Sequence, residues 1–496
     1  MNFFSHYKKR YRIPLLPAAA ILVTAACWLS SCKKLIEIKE PPSTMTSTKV
    51  FSSDEQAEAA VAGMYSLTIN GDGFSNAAVN GFARGLSTML GSLSSDDILY
   101  DAGYANSYYY FNVGRVPTND APSTTLWTTA YKSIHSANAI LEGITASGSY
   151  RLTDSARRLF TGEALLMRAF SHFYLTSFFG DVPLVLTADY SVTAQMTRTP
   201  QASIYRQLVE DLTRARELLL TDYTTGNGTR TRPNKWAATA LLARVYLYMG
   251  ENDNAIAMAG EVIEQSSLYT LMPPAQAFLK DSREAIWQLK HATTFYGLGN
   301  ATPEGSAVIP TPPATGYGAY YISPSLAAAF EDDDARKTNW MGVNTVSGLT
   351  RFFPFKYKTG RYNAVTGGES TEFYILLRFA EQYLIRAEAL ARKGNSYLED
   401  AIKDLNTIRL RSSLDQLPLT LTQAETLEAV AQERRVELFM EWGHRWFDLK
   451  RNNKAHDVLS VLEHKQPWEG DYQLLYPIPV TEIKTNVHLG QNPGYN

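Results

Sequence analysis

Hydrophobic positions recur at helical spacing along much of this chain. Between Ser155 and Phe179, the residues Leu159, Leu166, Phe170, Phe173 and Tyr174 fall close to a 3.6-residue period, which predicts a helix with one apolar face. Gly180 stops it, and Pro183 just beyond cannot continue it. Two further stretches read as helix–turn–helix pairs. Ala238, Leu241, Leu242, Val245, Tyr246 and Met249 line one helix that ends at Gly250, and Ala255, Ala259, Val262 and Ile263 line the next. Ala380, Tyr383, Leu384, Ala387, Leu390 and Ala391 precede Gly394, and Leu398, Ala401, Ile402, Leu405 and Ile408 follow it. Small alanines at turn-facing positions let antiparallel helices approach closely. A length of about 34 residues per pair suggests tetratricopeptide-like units. Long segments separate them, so they form no clean tandem array.

Two segments break this pattern. Gly71 to Ser123 and Leu271 to Gly368 lack a sustained helical period, and the second is rich in Pro, Gly, Thr and aromatics. Large irregular insertions on a helical frame are where binding surfaces are most often built. Tyr100, Tyr104, Tyr108, Tyr109, Tyr110 and Phe111 crowd the first; Phe295, Tyr296, Tyr317, Tyr320, Tyr321 and Trp340 crowd the second. Flat rings flanked by Asn, Asp or Arg suit a sugar, which has an apolar C–H face and a hydroxyl edge. Packing beneath the loops is the competing account of each ring. The candidate ligand-binding residues are Tyr104, Tyr108, Tyr296, Tyr317, Tyr320 and Trp340. Trp340 leads, since it offers the largest face and sits beside Lys337 and Asn339.

The N-terminus follows different rules. Lys8, Lys9, Arg10 and Arg12 form a basic region, and the apolar run Ile13 to Leu29 carries Pro14 and Pro17 before Ser30, Ser31 and Cys32. This is the layout of a signal peptide over residues 1–31, too short and too broken for a transmembrane helix. Leu29-Ser30-Ser31-Cys32 resembles a bacterial lipobox, in which the cysteine thiol takes a diacylglycerol and becomes the new N-terminus. Residues 32–49, with Pro41-Pro42 and a Ser/Thr run, read as a tether. The body then spans 50–496, with an N-terminal part to about residue 330 and a C-terminal part from about 331 that does not stand alone. Cys27 lies in the removed segment, so the mature chain keeps only Cys32 and has no disulfide.

Composition adds exclusions. Removing four positive charges and no acids with residues 1–31 takes the formal net charge from -2 to -6, which argues against nucleic acid as a partner. No HExxH, Walker loop, GxSxG or strand-borne GxGxxG is present, and the eight histidines are scattered, so neither catalysis nor a cofactor is expected. Glu433, Glu437 and Glu441 fall four apart and are interleaved with Arg434, Arg435 and Arg445, which predicts a helix-locking ion-pair network. Ser94-Ser95-Asp96-Asp97 reads as a turn or helix cap. Asp332-Asp333-Asp334 has the oxygen ligands of a calcium site, though such a run is more often a solvated turn.

An ordered set of short motifs gathers these pieces. It runs from the lipobox through Arg84-Gly85-Leu86, Ser94-Ser95-Asp96-Asp97, Leu126-Trp127 with Tyr131 and Asn138, and Gly162-Glu163-Ala164 to Arg168-Ala169-Phe170. It continues through Phe179-Gly180-Asp181-Val182-Pro183-Leu184, Ala243-Arg244-Val245-Tyr246-Leu247 and Glu433-Arg434-Arg435 with Glu437-Leu438. Arg445-Trp446-Phe447-Asp448-Leu449-Lys450-Arg451, Tyr476-Pro477-Ile478-Pro479 and Gln491-Asn492-Pro493-Gly494-Tyr495 complete it. Over essentially its whole mature length the chain resembles the SusD/RagB family. The resemblance implies an all-α fold, with tetratricopeptide-like helical pairs as a scaffold for large loop-rich insertions that hold a shallow glycan site. It also implies a lipid-anchored outer-membrane location facing the cell surface, and a SusC-like TonB-dependent transporter as partner, over which the protein sits as a lid. Oligosaccharide capture for uptake is the function it implies; family members that handle peptides or other nutrients leave that alternative open, as does a scaffold using the helical pairs.

Overall fold

The structure, a computed structural model, describes residues 50–71, 79–101, 106–294, 298–311 and 319–495. The signal peptide, the tether and Cys32 lie outside them.

A run of long helices forms the frame. Helix α1 (Asp54–Asn70) starts at Ser53, whose hydroxyl accepts from the Gln56 N–H. α2 (Leu86–Ser94) is short and buried throughout. α3 (Ala121–Ala146) is capped by Asp120, with a proline in its first turn. α4 (Asp154–Phe179) is capped by Thr153 and is buried on every side from Gly162 onward. This is why its sequence shows more apolar positions than one face needs. It ends at Gly180, where φ of 76° favours glycine. α5 (Gln201–Leu218) buries Ile204, Leu208, Leu212 and Ala215 as a single stripe. α6 (Lys235–Met249), capped by Asn234 and closed by Gly250, turns directly into α7 (Asn252–Ile263). After the long excursion comes α8 (Phe379–Lys393), then α9 (Leu398–Arg411), α10 (Gln423–Leu438) and α11 (His444–Arg451). Both helix–turn–helix pairs predicted from the spacing are present, as α6–α7 and α8–α9.

From α3 to α7 each helix packs on the next in sequence, and α8 then packs on α7 to continue the stack. Alanines make these joints close. Ala243, Ala255, Ala259 and Ala389 meet Leu247 and Ile385 between α6, α7 and α8, while Ala380, Ala387 and Ala401 meet Leu384, Leu405 and Ile408 further along. Buried ion pairs fix the register: Arg168 with Asp211 at 2.7 Å joins α4 to α5, Arg244 with Glu381 at 2.6 Å joins α6 to α8, and Arg386 with Asp404 at 2.7 Å joins α8 to α9. Arg244 and Glu381 are both almost fully enclosed. Breaking either half would strand the other charge, which is far more costly than the pair's own net contribution.

The charged run 433–451 forms an ion-pair network, as its spacing predicts, but a largely buried one. Asp448 and Arg451 pair along α11, whereas most of the other charges reach different elements. Glu437 meets Arg336, Arg378 and Arg411; Glu441 meets Arg378 and Lys356; Arg434 meets Asp448; and Arg445 meets Asp96. Spacing alone cannot separate a solvated face from one facing other arginines.

The few strands stitch the irregular segments to this frame. β1 (Ile98–Tyr100) pairs antiparallel with β3 (Tyr320–Ile322), and β2 (Ala285–Leu289) with β6 (Tyr374–Arg378). β4 (Met341–Val346) and β5 (Leu349–Pro354) form a hairpin closed by Ser347 and Gly348, both at positive φ.

Candidate functional site

The β1–β3 ladder places the two aromatic-rich segments side by side. Tyr100 lies opposite Tyr320, and Leu99 opposite Tyr321. The short helix Tyr108–Asn112 folds back onto β1, where the Asn112 side-chain carbonyl accepts from the Tyr100 N–H at 3.2 Å. Three tyrosines converge as a result. The Tyr100 and Tyr320 ring centroids are 5.1 Å apart, and Tyr108 meets Tyr320 edge-on at 5.9 Å. Tyr100 is buried, whereas Tyr108 and Tyr320 keep part of their rings in solvent.

What holds this cluster is the charge network beneath it. Asp96 and Asp97 immediately precede β1, in the turn the sequence suggests, and both are buried there. Asp96 accepts from the Arg445 Nε at 2.7 Å, and Asp97 from the Arg435 Nε at 2.9 Å. Their main-chain carbonyls receive the Ser323 hydroxyl and N–H at 2.6 and 2.8 Å, just past the end of β3. Both strands are therefore pinned to α10 and α11.

Burial raises the Tyr108 hydroxyl to about 12, with Asp120 and Tyr100 adding to the effect. The Tyr320 hydroxyl is raised further, again mainly by burial. Both phenols stay neutral at any physiological pH and can donate or accept hydrogen bonds. Beside them the β4–β5 hairpin brings Arg351, whose guanidinium lies 4.5 Å above the Tyr321 ring and pairs with Asp101. Tyr320, Tyr321, Asn344, Arg351 and Phe352 line a small notch between hairpin and ladder. Partly exposed rings, neutral hydroxyls and one charge-balanced ion pair suit a neutral ligand with both apolar faces and hydroxyl edges. The alternation of 341–354 around Ser-Gly was the signal that could have located this hairpin and Arg351 in the sequence.

Of the sequence candidates, Tyr108 and Tyr320 are brought together. Tyr104, Tyr296 and Tyr317 lie outside the described residues. Trp340 is a correction: it has no solvent-exposed area and offers no face to a ligand. Its indole N–H donates to the Pro274 carbonyl at 2.8 Å, Phe278 packs edge-on at 5.6 Å, and the Lys356 ammonium lies 4.6 Å from its ring. Asn339 is also spent, on the Ala335 carbonyl at 2.7 Å. A short helix, Ala335–Trp340, drives the indole inward. Asp334 caps that helix and binds Arg336 at 2.9 Å, while Asp332 and Asp333 lie in an exposed turn. No cluster of His, Cys, Asp or Glu suited to a metal occurs among the described residues.

Residues 39–247 match a family described as "Starch-binding associating with outer membrane", and residues 337–495 match one described as "SusD family". The chain belongs to the SusD family. SusD-like protein P2 of Formosa agariphila is 26% identical over 413 residues, 74% of this chain and 80% of that one. Among solved structures, a SusD superfamily protein from Bacteroides vulgatus aligns with a TM-score of 0.75 at 20% identity, covering 90% of this chain and 100% of the other. A laminarin binding SusD-like protein aligns at 0.72 with 23% identity over 90% and 100%. The SusD-family matches flank residues 248–336, the stretch that carries β3 and Tyr320. No helix among the described residues is long and apolar enough to cross a membrane.

Proposed function

We propose that this protein captures oligosaccharides at the cell surface and delivers them to a SusC-like TonB-dependent transporter in the outer membrane. In this reading lipid on Cys32 supplies the anchor and the helical stack supplies a rigid base. The observation that carries it is the meeting of Tyr100, Tyr108 and Tyr320 where the two irregular segments pair, with Tyr108 and Tyr320 partly open to solvent. Relatives named for starch and laminarin support a glycan as ligand. Capture and release need no catalytic residue, so the role is binding. Stacking on a shallow surface gives an affinity of about micromolar to millimolar.

The test is calorimetric titration of the purified protein with oligosaccharides derived from starch, laminarin, xylan, mannan and pectin. At least one class should bind, and Tyr108→Ala or Tyr320→Ala should weaken it by about five- to a hundredfold, the equivalent of about 1–3 kcal/mol. Binding of peptides with no response to any glycan would overturn the reading.

A further inference from the structure

A second cleft, away from the tyrosine cluster, has the makings of a sugar site. Trp127, Tyr131 and His135 are spaced four apart on α3, so they share one helix face. The stretch Pro183–Ala194 forms a facing wall, and the C-terminal segment around the short helix Val480–Thr485 forms a third. The space between them is about 270 Å³.

These walls are fixed before any ligand arrives. The Tyr131 hydroxyl donates to the Pro183 carbonyl at 2.9 Å, the Val185 N–H to the His172 ring at 3.2 Å, and the Asn486 side chain to the Met196 carbonyl at 2.8 Å. At the floor the buried Trp127 ring packs edge-on against Phe179 at 5.0 Å, and Tyr131 lies against it at the same distance. On the facing wall Tyr190 is 74% exposed, which leaves its ring open to a ligand in the cleft.

The polar groups narrow the ligand. Glu482 lines the cleft and pairs with no cation among the described residues. Burial pushes its carboxyl up, with hydrogen bonding to Trp127 opposing, which places it beside that indole. A carboxyl without a cation partner next to flat rings exchanges hydrogen bonds with hydroxyls. Few polar groups converging on a mostly apolar, preformed cleft is the usual design of a small-molecule site.

We infer that this cleft binds a neutral sugar ring, with Tyr131 and Tyr190 against its apolar faces and Glu482 accepting from its hydroxyls. The inference rests on the glycan reading above and adds to it a second contact for the captured oligosaccharide. α3 begins at Asp120, which lies close enough to Tyr108 to raise its hydroxyl, and Trp127 follows about 10 Å further along the axis.

The full protein labelled with 5-fluorotryptophan tests this by fluorine NMR, using the same five oligosaccharide classes as probes. The Trp127 resonance, assigned through Trp127→Phe, should shift and saturate with the probe that binds, and should still do so in Tyr108→Ala. Tyr190→Ala and Glu482→Gln should each raise the concentration needed for half-saturation of that shift at least fivefold. A Trp127 resonance that stays still while calorimetry records binding overturns the cleft alone. Absence of binding by any probe overturns both readings. A shift that Tyr190→Ala and Glu482→Gln leave unchanged shows that Trp127 only senses the other site, and also overturns the cleft.

Discussion

Arg435, in the last turn of α10, reaches across 338 positions of sequence to hold Asp97 at 2.9 Å, and Asp97 is the residue that launches β1. Asp97 is 1% exposed and its second carboxylate oxygen has no partner, so the guanidinium is what makes its burial tolerable. Replacing Arg435 with Met should cost about 3–5 kcal/mol and displace Tyr100 and Tyr320 together. The expected result is a lower Tm and a severalfold loss of glycan affinity measured below it. Arg434→Met breaks a pair with Asp448 instead, remote from β1 in the hydrogen-bond network, and should lower Tm with affinity unchanged. Equal effects of the two variants on affinity would show that β1 is not the link.

Stability should fall steeply in acid. Against burial, which alone would raise them, Arg451 and Arg434 hold Glu388 down at about 2, and Arg434 and Arg451 do the same for Asp448. A carboxyl whose folded value is depressed stabilises the fold above its unfolded value of about 4 and loses that contribution as pH falls toward the folded one. These two carboxyls should therefore make Tm drop between about pH 4.5 and 2, on top of the loss that His172, His444 and His464, held below the usual imidazole range by burial, begin below about pH 6.5. A Tm that holds steady from pH 5 to 3 would contradict the network.

Trp340 now makes a stability prediction. Trp340→Ala empties a fully enclosed site and should cost about 3–5 kcal/mol, visible as a lower Tm. Titration below that Tm should return the wild-type Kd. A weakened Kd with an unaltered melting curve would return the indole to the ligand.

The anchor is tested separately. The chain has two cysteines, Cys27 and Cys32, and the proposed cleavage after Ser31 removes the first, so Cys32→Ala should leave no thiol for lipid. Detergent phase partitioning of membrane fractions should move the variant wholly to the aqueous phase. Retention in the detergent phase would mean that something other than this thiol holds the protein.

The frame was legible because helices announce themselves locally. The period through Ser155–Phe179, the stops at Gly180, Gly250 and Gly394, and the alanines of α6–α9 all act within a few residues of where they stand. The site was legible only by region. Tyr320 and Trp340 sit twenty positions apart in the same kind of sequence, yet one lines a notch and the other is enclosed. What separates them is the partner each meets, β1 for one and the Pro274–Phe278 stretch for the other, and both partners are distant in the chain. The acidic pair Asp96-Asp97 read as a turn, which it is, but its burial was invisible for the same reason, since the arginines that hold it come from 435 and 445.

The joint between α7 and α8 has a consequence for how such a protein can change. Residues 264–378 leave the helical stack and return to it, while α7 and α8 on either side pack directly on each other. To the spine, that excursion is a loop whose ends are already held. Lengthening a flexible loop is cheap, about 0.6 kcal/mol for each doubling, while altering the alanine joints on either side would disturb close packing. Insertions, deletions and new aromatics can therefore accumulate in the exposed turns of this excursion, away from its buried Trp287, Arg336, Trp340 and Arg378, without endangering the fold. The architecture separates what must stay constant from what is free to meet a new sugar.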